Sequence, residues 1–247
     1  MDREIQQIVE KHKTSCVVGS PSVADLCPIG CSKKGGFPDV CDDFEWPNYE
    51  GKHLSFLVQI EAKHFLGEGA LGTLQFFWNK RNWGGSIKDD GSFRVLRSIH
   101  PSIRLKVVPE TEHRKFGLFR RTHSPTIWKE EALVFRDSFS LPSIERLEKF
   151  GYNWDYDRDD LYHREAEALA GFFRIGGFPF PIQSDDMEKD CERIRNLGPR
   201  ESWRLLLEID SQSDMMWGDG GKLYWFIRQD ELDKQDFTKV WMHTQCH

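Results

Sequence analysis

The sequence lacks the segments that would carry a chain into or through a membrane. No apolar run approaches the ~20 residues that a membrane helix needs, and the opening MDREIQQIVEKHK has no apolar centre of the kind found in signal peptides. A chain of 247 residues buries enough surface to fold without disulfide staples. We therefore expect a cytoplasmic protein whose six cysteines are mostly reduced.

Recognisable catalytic and nucleotide-binding motifs are also missing. The chain has no Gly-x-Ser-x-Gly elbow, no Gly-x-x-x-x-Gly-Lys-Ser/Thr loop and no Cys/His pairing in the context of a known nucleophile. The absence of these motifs argues against an enzyme, and no cofactor is predicted.

Charge argues against a general nucleic-acid binder, because the formal net charge is −6. The charges are nevertheless clustered. Residues 104–129 hold seven Lys/Arg against two acids, and residues 151–192 hold eleven acids against four bases. Two solvated faces of opposite sign, or a basic patch for an acidic partner, would each explain the pattern. No nucleic-acid or membrane partner is predicted, and an unidentified protein or small molecule remains.

What the chain has in abundance is aromatic side chains, with 18 Phe and 9 Trp, and 30% charged residues. This composition is typical of a soluble globular protein, either one large domain or two small ones that share a core. We predict a single domain over residues 1–247.

Apolar patterning predicts strands in both halves of the chain and helices between them. Residues 16–48 are rich in Gly, Pro, Ser and Asp, and they predict loops with at most short strands. A first helix is predicted over 3–13, a helical region over about 140–173, and a further helix from 184 that ends at Gly198-Pro199. The predicted strands cover 54–62, 72–79, 93–96, 103–108, 126–135, 203–210 and 222–228.

Two parts of the sequence repeat each other. Residues 54–77 align without a gap on residues 203–226, at an offset of 149, and six of the 24 positions are identical. The letters GGFP precede this block in each half, at 35–38 and at 176–179. A shared order of motifs at a near-constant offset predicts two copies of one structural unit.

The repeated GGFP favours a structural turn over a phosphate-binding loop. Glycine permits a positive φ, and the residue before proline is pushed towards extended backbone. Proline also removes one amide donor that a phosphate would need. The residues assigned to the two turns are Gly35, Gly36, Pro38, Gly176, Gly177 and Pro179.

The predicted fold is therefore α+β and β-rich. It consists of a tandem duplication of an antiparallel-sheet unit related by a pseudo-two-fold axis, with a helical insertion between the halves. The repeats span approximately 33–135 and 174–247, and the helical linker region spans approximately 140–173.

The motifs resemble those of the YwqG-like family over most of the chain, from about Lys33 to the end. The first half contributes Gly-Gly-Phe-Pro, Trp46-Pro47 and the strand LSFLVQI; the second contributes Gly-Gly-x-Pro and the run from Trp217 to Ile227. The resemblance implies a bacterial, mostly cytoplasmic α+β fold with an internal duplication. It implies no catalytic residues, because that family has no established function. Some members are associated with toxin and immunity gene clusters.

Cysteine spacing raises the question of a metal site. Cys16, Cys27, Cys31 and Cys41 fall within 26 residues, and the chain ends with His243, Cys246 and His247. Thiolates and imidazoles suit zinc, yet Cys27-x-x-x-Cys31 is an isolated pair and no second pair has ligand spacing. Buried or loop cysteines explain the pattern better, so no metal is predicted.

The remaining candidates are polar and aromatic residues near the repeated motifs. They could line a cleft between the two copies, or they could satisfy the backbone groups of the turns, as buried polar groups must. Two functions stay open: a non-enzymatic binding or protein-interaction module, with an immunity or stress role as one form of it, and a small-molecule-binding protein or hydrolase with its site in that cleft. The candidates are Trp46, Gln59, Gln183, Glu208, Trp217 and Asp219.

Overall fold

The fold is known from a computed structural model, which describes residues 3–23, 26–108, 124–152, 156–196, 199 and 202–247. Most of the basic segment 104–129 and the predicted helix stop at Gly198 lie outside the described residues. The helices are α1 (Arg3–His12), α2 (Lys63–Leu66), α3 (Ile144–Lys149), α4 (Tyr156–Ala168), α5 (Met187–Arg195) and α6 (Gln229–Asp233).

Strands dominate the described residues, and the predicted α+β, β-rich class is confirmed. The strands are β1 (Thr14–Pro21), β2 (Lys33–Lys34), β3 (Asp39–Val40), β4 (Asn48–Tyr49), β5 (Lys52–His53), β6 (Ser55–Glu61), β7 (Thr73–Trp78), β8 (Phe93–Ser98), β9 (Ile103–Arg104), β10 (Glu131–Ser140), β11 (Phe173–Ile175), β12 (Trp203–Asp210), β13 (Lys222–Arg228) and β14 (Trp241–Gln245).

The chain divides into two compact units. The first unit comprises Met1–Ser20, Phe135–Lys234 and Met242–His247. The second unit comprises Pro21–Val134 and Gln235–Trp241.

The second unit is built on the antiparallel strands β2, β6, β7 and β8, in that order, with the first residues of β10 beside β2. Gln59 of β6 lies opposite both Lys33 of β2 and Gln75 of β7. An aromatic cluster of Trp46, Leu54, Phe56 and Phe77 covers one face. The predicted strands at 54–62 and 72–79 are confirmed as β6 and β7.

The first unit has strand order β14, β13, β12, β11, β1, followed by the later residues of β10. The predicted strands at 203–210 and 222–228 are confirmed as β12 and β13. Helices α1, α3 and α4, with the residues just before α3, supply an apolar cluster; its buried members are Ile5, Ile8, Leu141, Leu147, Tyr162 and Ala166.

One prediction was wrong in the N-terminal region. The expectation of loops with at most short strands from residue 16 missed β1, which spans eight residues. Val17, Val18 and Gly19 pair with β11 across the antiparallel ladder. The hydrogen bonds of a sequence-distant partner, which local Gly and Ser content does not reveal, stabilise this strand.

The two repeated blocks share irregular features as well as strands. The β6–β7 register shifts between Phe56 and Val58, and the β12–β13 register shifts between Leu205 and Leu207. The amide of Ala62 donates to the carbonyl of Gly72 (2.8 Å), and the amide of Ser211 donates to that of Gly221 (3.2 Å). Each matching pair is separated by the offset of 149.

The two GGFP corners also match. Their glycines all have positive φ: +62° and +63° at Gly35 and Gly36, +70° and +71° at Gly176 and Gly177. In each corner a basic side chain two residues before the first glycine donates to the carbonyl of the corner phenylalanine. Lys33 Nζ donates to Phe37, and Arg174 Nη1 donates to Phe178 at 3.1 Å.

Alanine at the first glycine of each corner should have unequal effects. A Cβ at Gly176 would meet no heavy atom within 4 Å, whereas a Cβ at Gly35 would lie 2.2 Å from the carbonyl oxygen of Lys129. Gly176→Ala should therefore lower the free energy of unfolding only by the left-handed backbone cost, about 1–2 kcal/mol. Gly35→Ala should cost a further 1–3 kcal/mol or so, because packed backbone must move. Urea denaturation measures both, and equal losses would contradict the steric assignment.

A buried histidine should make the stability of the first unit depend on pH. His243 of β14 is buried, its Nε2 has no hydrogen-bond partner within the described residues, and burial lowers its pKa to about 4. The unfolded chain, with an ordinary pKa near 6.5, binds the proton first as pH falls. Stability is therefore lost between about pH 6.5 and pH 4, by about 2 kcal/mol from pH 7 to pH 5.

The matched control for this titration is His243→Gln, which keeps a polar side chain that does not titrate. The difference between wild-type and His243→Gln unfolding free energies should shrink by that amount from pH 7 to pH 5. A difference that stays constant with pH would contradict the assignment.

Candidate functional site

The side chain of Gln59 holds the first corner, the GGFP turn at 35–38, through its hydrogen bonds. Its Oε1 accepts from the backbone amide of Asp39 (2.8 Å), and its Nε2 donates to the Asp39 carboxylate (2.7 Å) and to the carbonyl of Cys31 (2.8 Å). Asp39 directly follows the corner proline, so Gln59 holds the chain where it leaves the turn.

Asp39 is the centre of a buried ionic network in the second unit. Its carboxylate accepts from Arg104 Nε (2.6 Å) and Nη2 (3.0 Å) and from the amide of Gly30 (2.8 Å). Burial acts to raise the pKa of Asp39, but the hydrogen bonds from Arg104, Gly30 and Gln59 outweigh it and hold that pKa below its ordinary value. Glu130 links Arg104 (3.0 Å) to Lys33 (2.6 Å). Asp39 is therefore ionised and fully engaged at neutral pH.

Glu208 holds the second corner in the same way. Its Oε2 accepts from the amide of Phe180 (2.9 Å), the residue after the second corner proline. Arg174 lies 3.6 Å from Oε2, and Lys222 donates to Oε1 at 3.1 Å. Lys222 also pairs with Asp210 (3.2 Å). A carboxylate thus replaces the amide of Gln59, and it lies beside two buried cations, Arg174 and Lys222.

The other candidates from the first unit are spread along its loops. Gln183 donates to the carbonyl of Cys246 (2.7 Å) and lines a cavity of about 180 Å³ beside Phe180. Trp217 is buried, and its amide donates to Ser211 Oγ (3.0 Å). Asp219 is exposed in the loop before β13. Trp46 and Gln59 belong to the second unit, so the predicted cleft shared by all six residues stays a prediction.

The cysteines do not form a metal-ligand set. Cys16 is buried in β1, and Cys41 shares a hydrogen bond with Ser98 Oγ (3.2 Å). Cys27 and Cys31 lie side by side, with their sulfurs 2.9 Å apart. Within the described ranges, no group of three or more His, Cys, Asp or Glu side chains is placed to hold a metal ion.

One cavity of the second unit has a volume of about 450 Å³. Phe44, Trp46 and Leu96 form its apolar wall, and Gln75 and Ser98 contribute polar groups from β7 and β8. Trp46 is fixed in this wall, because its Nε1 donates to the carbonyl of Leu54 (2.8 Å) and its ring packs edge-on against Phe77 at 5.8 Å.

Gln75 is the residue of this cavity that sequence reasoning missed. Its side chain is fully buried, and its Nε2 donates to the carbonyl of Asp39. Its Oε1 is buried and has no hydrogen-bond partner among the described residues. The available signal was a second glutamine in an apolar strand, cross-strand from Gln59. The cavity wall therefore includes a residue with one unused acceptor.

A smaller cavity, of about 300 Å³, lies in the first unit between Gly19, Gly171, Arg136 and Asp210. Burial raises the pKa of Asp210, although the charge of Lys222 opposes this. Since Lys222 already pairs with that carboxylate, Asp210 belongs to the Glu208 cluster, and the cavity supplies little further polar chemistry.

Removing the negative charge of Glu208 should destabilise the protein strongly. Glu208→Gln keeps an acceptor for Phe180, but it removes the carboxylate that pairs with buried Arg174 and leaves Lys222 with the carboxylate of Asp210. Breaking a buried ion pair on one side costs about 3–5 kcal/mol. The matched control is Glu10→Gln, whose carboxylate pairs with Lys13 on the surface of α1 and should contribute less than about 1 kcal/mol. Equal losses in urea denaturation would contradict this role of Glu208.

Comparison with known proteins gives a family but no activity. No curated protein matches the chain. None of the helices in the described ranges combines the length and apolarity needed to cross a bilayer. A model of the family described as "Domain of unknown function (DUF1963)" matches residues 32–246. Since this match covers most of the chain, the protein belongs to the DUF1963 family.

Proposed function

We propose that this protein binds a small organic molecule, without transforming it, in the 450 Å³ cavity of the second unit. The observation that carries the proposal is the Oε1 atom of Gln75, a buried acceptor with no partner among the described residues, on a side chain that lines the cavity. Small-molecule sites typically occupy cavities of about 300–1,000 Å³, and the volume of this cavity falls in that range.

Energetics support a ligand that donates a hydrogen bond. A buried acceptor left unpaired costs roughly 1–3 kcal/mol of desolvation, which a ligand N–H or O–H group would recover. Exchanging the two ends of the Gln75 amide would not relieve this cost, because its oxygen would then face the carbonyl of Asp39. A ligand that reaches this buried oxygen should therefore place a hydrogen-bond donor there.

The residues that line the cavity also indicate the shape and the charge of the ligand. Phe44, Trp46 and Leu96 favour a flat apolar body of a few rings or branches. The lining carries both signs of charge, with exposed Asp43 and Glu45 against the half-buried Arg94 and Arg97. We expect a neutral or zwitterionic ligand, because neither sign dominates.

The side chains around the cavity support binding over catalysis. Cys41 and Ser98 share a hydrogen bond there, but neither has an imidazole beside it, since no histidine is found among the described residues that line the cavity. An activated Ser or Cys nucleophile generally needs such a neighbouring base. The hydrolase alternative has less support for this reason.

The predictions that the sequence analysis made on family, source, cell compartment and duplication are part of the same proposal. We propose a YwqG-like, bacterial and cytoplasmic protein, whose two units descend from one duplicated ancestor. The offset of 149 shared by the register shifts of β6–β7 and β12–β13 supports the duplication.

A protein partner, with an immunity or stress role as one form, is the second candidate. It is favoured by isoleucine side chains that the second unit leaves about half exposed, Ile99 at 46% and Ile103 at 52%. Exposed apolar side chains mark interaction sites where they form a contiguous patch. Ile103 lies opposite Val40 in the short β3–β9 ladder, so backbone pairing holds it in place.

Filling the cavity should abolish ligand binding. Leu96 lies directly opposite Gln75 in the β7–β8 ladder, and Leu96→Trp would place an indole in the cavity. Ligands would be found by screening metabolite-like compounds by thermal shift and ligand-observed NMR. The compounds that bind wild type should bind Leu96→Trp at least about tenfold more weakly, a loss of 1.4 kcal/mol or more.

The matched control makes the same change at Leu71, which is 57% exposed and does not line the cavity. Leu71→Trp should retain wild-type affinity for every compound. Equal affinity of wild type and Leu96→Trp would refute the cavity as the site. A broad screen without any binder of wild type would refute the small-molecule proposal and favour the protein partner.

A further inference from the structure

Two cysteines of the second unit face each other across a tight turn. Cys27 and Cys31 are separated by Pro28, Ile29 and Gly30, and their sulfurs are 2.9 Å apart. The amide of Cys31 donates to the carbonyl of Pro28 (3.2 Å), and Gly30 has a φ of +83°. Gly30 is the third residue of this turn, where its positive φ lets the backbone reverse. The turn thus keeps both thiols on one side.

Side chains from two other strands hold both ends of this turn. The carbonyl of Cys27 accepts from Arg104 Nη1 (2.8 Å) and the carbonyl of Cys31 accepts from Gln59 Nε2 (2.8 Å). Between them, the amide of Gly30 donates to the Asp39 carboxylate (2.8 Å). The proximity of the two thiols is therefore built into the corner network and does not depend on a freely moving loop.

We propose that Cys27 and Cys31 form a redox-active pair that closes reversibly into a disulfide. A disulfide requires sulfur atoms about 2.05 Å apart, so each side chain has to move by well under 1 Å. No other two of the six cysteines, all of which lie in the described residues, share a thiol–thiol hydrogen bond. The pairing is specific to this turn.

The surroundings assign different roles to the two thiols. Arg104 Nη2 donates a long hydrogen bond to Cys27 Sγ (4.0 Å). Burial, together with the hydrogen bond to Cys27, raises the pKa of Cys31 to about 12. Cys27 is therefore the attacking thiol and Cys31 the resolving thiol.

The oxidant is a low-molecular-weight disulfide, RSSR, and the exchange balances. The Cys27 thiol loses its proton to solvent and its sulfur attacks one sulfur of RSSR; the S–S bond breaks, and one RS⁻ leaves as the Cys27–S–S–R mixed disulfide forms. The Cys31 thiol then loses its proton to solvent and attacks Cys27 Sγ, which releases the second RS⁻. Each RS⁻ takes up one of the two protons released, so two cysteine thiols are oxidised and RSSR is reduced to two RSH.

Thiol counting in a glutathione buffer tests the proposal. The full chain is equilibrated with excess oxidised glutathione, quenched with acid, unfolded and alkylated, and its remaining free thiols are counted by mass spectrometry. Wild type should fall from six free thiols to four without a retained glutathione adduct, and peptide mapping should join Cys27 to Cys31. Reduced glutathione in excess should restore all six.

Single serine variants separate the roles. Cys31→Ser should accumulate a mixed disulfide at Cys27, because no resolving thiol remains, whereas Cys27→Ser should take up much less glutathione at Cys31. Cys41→Ser, the matched control, should still lose two thiols. Six remaining thiols in wild type, a disulfide elsewhere, or stable mixed disulfides at both residues would each overturn the proposal.

Discussion

One polar side chain in each unit holds a GGFP corner against its sheet, and much of the surrounding structure depends on that contact. Gln59 of β6 and Glu208 of β12 each accept the amide of the residue that follows the corner proline. That amide is buried, so it needs a partner. The partner must also come from a strand that is already packed, because only then does the bond fix the direction in which the chain leaves the turn. The two glycines, which turn the backbone, and the basic residue before them complete a corner that could not be held by apolar packing alone.

The two units use side chains of different charge for this contact, Gln59 and Glu208. The ion pairs around the two corners differ as a result. The neutral amide of Gln59 leaves room for a carboxylate on the corner itself, Asp39, which brings in Arg104 and, through Gly30, the turn that carries Cys27 and Cys31. The carboxylate of Glu208 instead requires cations around it, and Arg174 and Lys222 supply them. One exchange of amide for carboxylate therefore decides which ionic network each unit builds. The turn that carries the two thiols is bound to the network of the first corner, through Asp39 and Gln59.

The sequence predicted most where local pattern and repetition agreed. The strands β6, β7, β12 and β13 were placed correctly, because each is a long apolar run bounded by turn residues. Other features depend on partners that are distant in sequence. β1 escaped prediction since its stability comes from β11, more than 150 residues away. Arg104 was counted as one charge of a basic segment, but it is ion-paired with Asp39 and Glu130. Gln75 carried no motif at all, because an unused acceptor is a property of three-dimensional surroundings and not of residue type.

A comparison of matching positions in the two units explains why the unused acceptor occurs in the second unit. Gln75 and Tyr224 occupy matching positions at the offset of 149, and both donate to the carbonyl of the residue after the corner proline, Asp39 or Phe180. A tyrosine meets this demand with its single hydroxyl hydrogen. A glutamine meets it with its amide nitrogen and necessarily brings a carbonyl oxygen as well. In the second unit that oxygen is buried without a partner on a residue that lines a cavity, so the element that secures the corner also supplies the polar group that a ligand would satisfy.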